Sequence, residues 1–220
     1  MTRTPVALLA VGLLAAPALA FSQVDLQRLL TTKSCGNCDL VEAELAGADL
    51  ADVYATYADF TGADLAGAVL ANGYLRFTTL RRTDFTGADV TDVNFESATM
   101  AGAVLAGARG PDASFVNATL AGAVLDGGDF SGANFTRANL REASLAGAQL
   151  AGADFTSAVL AGADLSGADL SGALLARAGI RGANFTDANL AGAVLTASSL
   201  AAAVLCRTTM PDGAINNEGC

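Results

Sequence analysis

The feature that most constrains this chain is a five-residue period, with Leu or Phe at nearly every fifth position across residues 38–212. The period runs through thirty-five consecutive blocks without an insertion or deletion. A helix repeats about every 3.6 residues and a strand about every 2, so neither could keep every fifth side chain on one side over this length. A short fixed period is instead typical of a solenoid, whose repeats are stable only when stacked on their neighbours.

Each block predicts two interior and three exterior positions. The central Leu or Fhe-type residue and a small residue two positions earlier, usually Ala, are expected inside, and the other three positions are expected to face solvent. Gly often ends a block, where it supplies the positive φ that a sharp corner requires. Residues 63–67 read A-D-L-A-G, and residues 163–172 read A-D-L-S-G twice.

This A-(D/N)-(L/F)-(S/T/A)-G pattern resembles the pentapeptide-repeat family. The resemblance implies a right-handed quadrilateral β-helix in which four blocks make one coil and residues 20 apart stack. The column Phe95, Phe115, Phe135 and Phe155 supports that register independently, because its members are 20 residues apart. We therefore predict an all-β solenoid of about 8 coils, about 40 Å long at the strand spacing of about 4.8 Å, with no separate domains.

The first 37 residues lie outside the repeat. Residues 1–20 combine Arg3, a short apolar run and a terminal Ala18-Leu19-Ala20, which predicts a secretory signal peptide cut after Ala20. The apolar run is shorter than the roughly 20 residues that span a bilayer, so we expect no stable membrane anchoring. The mature chain is then exported, to the periplasm or the extracellular space, or to the thylakoid lumen if the source is photosynthetic.

The remaining segments have distinct roles. Residues 21–37 predict a short N-terminal α-helical cap and a linker, with Ser22 as N-cap and Asp25 as its partner. The cap would cover the first coil of the β-helix at residues 38–212. Residues 213–220 form the C-terminal tail, which follows a P-D-G turn and is expected to fold back.

The four cysteines lie at the two ends of the predicted rod. Because disulfide Cα atoms lie within about 7 Å of each other, the length of the rod leaves only Cys35 with Cys38 and Cys206 with Cys220. The second disulfide pins the tail. The C-x-x-C at Cys35 and Cys38 could instead belong to a thiol redox protein, but no βαβ pattern surrounds it. The chain has no His, which disfavours a zinc site.

One block departs from the pattern. In residues 108–112 Gly110 replaces the central residue and Pro111 follows it. Because Pro has no backbone N–H to donate, we predict a bulge or kink in that coil.

No catalytic, cofactor or metal motif is present in the pattern, so we predict a non-enzyme without a cofactor. Four carboxylates share one predicted column at every second coil, and turn chemistry and solubility explain them; they are Asp49, Asp89, Asp129 and Asp169.

One surface does not look solvated. Tyr54, Tyr57, Tyr74 and Phe77 occupy outward positions of two neighbouring coils and include all three Tyr residues of the chain. Arg76 lies between them, with Arg81 and Arg82 nearby. Exposed aromatic side chains with Arg are enriched in binding hot spots, so we predict a partner-binding patch here. The alternative is that these rings only stack as surface ladders or lie under the N-terminal helix.

These features favour an exported structural or protein-interaction scaffold. Its partner would be an unknown protein or glycan, or a second copy of the chain. The alternative is a DNA mimic, because the formal net charge is −10 and an acidic rod resembles the gyrase-protecting branch of the family. A signal peptide argues against that alternative and against a nucleic-acid partner, since gyrase is cytoplasmic.

Overall fold

A computed structural model describes residues 21–198 and 200–220, and the predicted signal peptide at residues 1–20 lies outside them. The chain begins with helix α1, Gln23–Thr32. The Ser22 hydroxyl accepts a hydrogen bond from the Asp25 main-chain N–H at 3.2 Å, as an N-cap does. The helix ends at Lys33, whose N–H bonds to the Leu29 carbonyl and whose φ of 52° is left-handed.

Helix α1 packs on the first coil of the repeat. The Leu29 side chain is fully buried, and Leu26 packs partly buried against the same core. The Asp25 carboxylate accepts from the Asp39 N–H at 3.1 Å, while the Ser22 N–H donates to the Asp39 carbonyl at 3.0 Å. The carboxylate therefore ties the helix to the coil and does not close a reciprocal capping box.

The repeat is a ladder of parallel bridges between residues 20 apart. The bridges run from Ser34 with Tyr54 to Asn189 with Thr209. Pairing thus begins four residues before the first block predicted from the Leu and Phe pattern, and Cys35 occupies a buried central position. Each exposed residue before the central position bridges its equivalents in the coils above and below, so chemically alike side chains are stacked in columns.

Every block closes with a turn. The N–H of the small interior residue donates to the carbonyl of the preceding central residue, as Ala43 does to Leu40 at 3.1 Å. The second turn residue has positive φ whether or not it is Gly, for example 68° at Gly47 and 62° at Tyr57. Positive φ at this position is characteristic of type II turns and explains the frequent Gly.

The interior is filled by the central residues and the small residues two positions earlier. The Phe rings of the predicted column stack in parallel. Centroid distances are 5.2 Å for Phe95 with Phe115, 4.7 Å for Phe115 with Phe135 and 4.8 Å for Phe135 with Phe155. Phe130 meets Phe135 edge-on at 6.3 Å. The predicted inside and outside positions are thus observed.

The predicted bulge or kink at Gly110 and Pro111 is wrong. Arg109 bridges Asp89 below and Asp129 above, and the Gly110 N–H donates to the Asp129 carbonyl at 2.7 Å. Pro111 occupies the first turn position, whose N–H does not enter the ladder in other coils, and its carbonyl accepts normally. The ring of Phe130 fills the space beside Gly110, where an added Cβ would approach Phe130 Cε1 to 2.9 Å.

The C-terminal end folds back as a hairpin. Strand β1, Thr208–Thr209, pairs antiparallel with strand β2, Ile215–Asn216. The structure contains the two predicted disulfides, Cys35–Cys38 and Cys206–Cys220. Within the described residues no helix is both long and apolar enough to cross a membrane.

Candidate partner-binding surface

The four predicted patch aromatics, Tyr54, Tyr57, Tyr74 and Phe77, are brought together on two neighbouring coils and lie in solvent. Their exposed fractions are 51%, 58%, 53% and 40%. Tyr54 bridges Tyr74, and both precede a central residue on the same face. Tyr57 and Phe77 occupy the adjoining turn in the same two coils. Helix α1 leaves all four exposed, which excludes the alternative that they lie beneath it. We call this surface the aromatic patch.

The turn side of the patch is a layered stack. The rings of Tyr57 and Phe77 are nearly parallel, at 8° with centroids 5.0 Å apart. The Arg76 guanidinium lies over the Phe77 ring, 5.2 Å from its centroid, as in a cation–π contact. Arg76 Nη2 also donates to Glu96 Oε1 at 2.9 Å. The rings of Tyr54 and Tyr74 make no equivalent contact, although their backbones pair.

Glu96 is the patch residue that sequence reasoning missed. It lies 20 residues after Arg76, in the next coil, and it holds the guanidinium in place. Opposite charges 20 residues apart also pair at Asp187 with Arg207, so the spacing was a usable signal. Arg76 Nε is buried without a hydrogen-bond partner, so the position of the guanidinium is set by Phe77 and Glu96.

Arg81 and Arg82 lie on the next turn of the same coil and are exposed. Arg141 and Arg181 occupy the turn position of Arg81 in later coils, because Gly62, Gly122 and Gly162 donate to the carbonyls of Arg81, Arg141 and Arg181 in the same way. One edge of the rod is thus basic while carboxylates occupy other columns. The acidic net charge is not spread uniformly over the surface.

The predicted carboxylate column is present, and its members act within turns. In each case the carboxylate accepts the main-chain N–H two residues later, as from Ser131 to Asp129 at 3.1 Å. A hydrogen bond from Lys33 lowers the pKa of Asp49. At Asp89 burial opposes ionisation, but hydrogen bonds from Thr91 and the charge of Arg109 outweigh it and the pKa is lowered. These carboxyl groups are ionised at neutral pH and are not tuned for acid–base catalysis.

The cysteines are placed unlike those of a thiol reductant. Cys35 and Cys38 are 0% and 2% exposed. A thiol redox site requires an accessible sulfur, so this burial favours a structural disulfide over the redox alternative. Arg28 Nη1 lies 3.7 Å from the Cys38 sulfur.

Other parts of the described chain offer less. An open depression of about 550 Å³ lies beside the C-terminal hairpin, between Met210, Pro211 and Ile215 and the polar residues 216–218. Among residues 21–198 and 200–220 no group of three or more metal-ligating side chains is found.

A stack of 20-residue coils joined by parallel bridges, with a turn in every block, defines a β-helical repeat protein. The Pentapeptide repeats family model matches in eight copies, at residues 34–72, 58–96, 91–127, 113–148, 138–177 and 173–210. The chain therefore belongs to the pentapeptide-repeat family. No curated protein matches this chain.

Solved structures of the same fold are similar to it. HetL, a pentapeptide repeat protein involved in heterocyst differentiation regulation in Nostoc sp. strain PCC 7120, is 31% identical with a TM-score of 0.61, over 80% of this chain and 90% of HetL. A pentapeptide repeat protein of the Arabidopsis thaliana thylakoid lumen is 31% identical with a TM-score of 0.35, over 50% and 67% of the chains. QnrB1, a plasmid-mediated fluoroquinolone resistance protein, is 20% identical with a TM-score of 0.42, over 77% and 87%.

Proposed function

We propose that this protein is an exported interaction scaffold that binds its partner through the aromatic patch. The observation that carries the proposal is the joint exposure of Tyr54, Tyr57, Tyr74 and Phe77, each between 40% and 58%, on adjacent coils. From about 200 Å² per aromatic side chain, the four together present roughly 400 Å² to solvent. Exposed apolar patches of that size are often functional on soluble proteins.

The scaffold part of the proposal rests on rigidity. We take the repeat to be a right-handed, four-sided helix of about 8 coils, closed at one end by α1 and at the other by the hairpin. Each coil is fixed to its neighbours by the ladder, so the patch residues are held in place before a partner arrives. A preordered surface loses less entropy on binding than a flexible one. No catalytic step is assigned to this protein.

Export is supported by both disulfides, which persist in oxidising compartments. It is tested by fractionating cells and measuring the intact mass of the recovered protein. We expect a mature chain that begins at Phe21 and has no alkylatable thiol before reduction. Cytoplasmic protein that retains residues 1–20 would contradict export and reopen the DNA-mimic alternative, which the basic edge at Arg81, Arg141 and Arg181 disfavours.

Patch binding is tested with a quadruple variant in which Tyr54, Tyr57, Tyr74 and Phe77 become Ser. The readout is cross-linked co-purification and solution mass from the native compartment. A matched control changes Leu174 and Val194 to Ser, since these residues are 40% and 42% exposed and follow Tyr54 and Tyr74 in the same bridging column. We expect only the quadruple variant to lose its partner, with an unchanged circular dichroism spectrum. Equal retention by both variants would refute patch binding.

A further inference from the structure

The kind of partner can be inferred from how the patch is built, and this inference rests on the proposed function. The backbone of the patch is already used. The N–H groups of Tyr54 and Tyr74 donate to the carbonyls of Lys33 and Val53, at 2.8 and 2.7 Å. The carbonyls of Tyr54 and Tyr74 accept from Cys35 and Ala55, at 2.7 and 3.0 Å. A partner therefore cannot join as an added β-strand and must be recognised by side chains.

The ring faces on the turn side are also used. Tyr57 covers one face of Phe77. Arg76 reaches toward Glu96 in the coil beyond, so its guanidinium lies on the other face of Phe77. What remains exposed is ring edges and the Tyr57 hydroxyl. Sugar rings bind aromatic residues by stacking on their faces, so this arrangement disfavours a glycan.

Charge and area exclude two further partners. The Arg76 charge is matched by Glu96 at 2.9 Å, so the patch has no unpaired cation at its centre for a phosphorylated or acidic motif. A stable rigid dimer buries about 800 Å² per protomer, and the patch offers only about half of that. An isologous homodimer through this surface alone would therefore be too small to persist.

Two aromatic ridges follow the rod axis, one from Tyr54 and Tyr74 and the other from Tyr57 and Phe77, and Thr56 and Arg76 lie on the turn between them. Three of the four aromatic residues carry a hydroxyl that donates a hydrogen bond. A helical peptide has satisfied its own carbonyls, whereas a polyproline-II segment has no internal hydrogen bonds and leaves its carbonyls free to accept. Proline rings also fit between aromatic side chains at small entropic cost.

We propose that the aromatic patch binds an extended proline-rich segment of a partner protein in the polyproline-II conformation. Two coils at about 4.8 Å spacing match one turn of that helix, about 9 Å for three residues. The two prolines of a Pro-x-x-Pro segment then lie between the ridges, and the hydroxyls of Tyr54, Tyr57 and Tyr74 donate to its carbonyls.

The protein supplies its own reporter for the test, because its three Tyr residues all lie in the patch and it has no Trp. Peptides of about ten residues that carry Pro-x-x-Pro, with x as Leu, Arg or Ser and no aromatic residue, are titrated against the mature, disulfide-intact protein. We expect at least one to change tyrosine emission saturably. Its Pro-to-Gly counterpart should bind about tenfold more weakly, because it is not preorganised.

Variants separate this inference from a general loss of structure. Changing Tyr54, Tyr57 and Tyr74 to Phe keeps the rings but removes the donors, so a fluorescently labelled Pro-x-x-Pro peptide should bind about tenfold more weakly by anisotropy. The variant with Leu174 and Val194 changed to Ser should bind as the native protein does.

The outcomes are distinguishable from those for the proposed function. If no Pro-x-x-Pro peptide saturates, or if the Gly peptides or a chito-oligosaccharide bind equally well, the proline-rich partner is refuted. Doubling of the solution mass through the patch would refute it in favour of a second copy. If co-purification still depends on the patch in those cases, the proposed function stands without this inference. If the peptides bind but no co-purified partner depends on the patch, the proposed function fails alone.

Discussion

Replacing Phe135 by Ala tests the interior assignment most directly. Phe135 is fully buried, and its ring is stacked on Phe115 at 4.7 Å and on Phe155 at 4.8 Å, both within 2° of parallel. Truncating a buried Phe to Ala costs about 3–5 kcal/mol in general. Each lost aromatic pair adds about 0.5–1.5 kcal/mol, and three rings contact Phe135, so we expect the upper part of that range, about 4–5 kcal/mol.

The assay is urea and thermal unfolding followed by far-ultraviolet circular dichroism, with the disulfides intact. At about 2–4 °C per kcal/mol for a chain of this size, the Tm should fall by roughly 8–20 °C. Arg137→Ala is the control, because Arg137 is exposed with a φ of 57° and Ala leaves the same backbone cost. That control should change stability by less than about 0.5 kcal/mol. Equal, small effects at both positions would refute the interior assignment.

Three smaller changes test the turns, the tail and an ion pair. Gly147 has a φ of 66° and nothing within 4 Å of an added Cβ, so Gly147→Ala should cost about 1 kcal/mol from backbone strain alone in urea unfolding; no cost would contradict the left-handed turn. Changing Cys206 and Cys220 to Ser should remove up to about 3 kcal/mol and accelerate hydrogen exchange in the tail, and unchanged exchange would show that the hairpin holds without its disulfide. A hydrogen bond from Arg207 lowers the pKa of Asp187 below its ordinary 3.8. Its stabilisation is therefore present above about pH 4 and lost as pH falls further, so Asp187→Asn should flatten the pH dependence of Tm there, and an unaltered profile would rule the pair out as its cause.

How far the sequence predicted the fold depends on the scale. The five-residue period predicted which side chains lie inside, because each block carries the same turn and only one large residue fits the interior. The period alone says nothing about how many blocks make a coil. The Phe column from Phe95 to Phe155 supplied that number, since aromatic rings stack at the spacing of adjacent coils. The same register then brought Cys206 and its tail to one end and Cys35 to the other.

The error at Pro111 has a physical cause that sequence rules for strands do not contain. Pro disrupts a sheet where its missing N–H would have joined the ladder. In this solenoid only some positions of each block donate across coils, and the first turn residue is not among them. Its absent N–H therefore removes no hydrogen bond between coils. Gly110 was similarly misread, because the Phe130 ring from the next coil fills the space that its missing side chain leaves.

The aromatic patch shows the same limit at the level of side chains. A 20-residue register is sufficient to place Tyr57 beside Phe77 and Tyr54 beside Tyr74, so the cluster follows from sequence alone. Which surface the cluster presents does not follow, because that depends on where Arg76 lies. Glu96 draws the guanidinium across the outer face of Phe77, and a patch of exposed ring faces becomes one of exposed edges and hydroxyls. Breaking this pair by Glu96→Gln should therefore weaken the hold on Arg76 and uncover the Phe77 face, shifting the preference of the patch toward ligands that stack on rings.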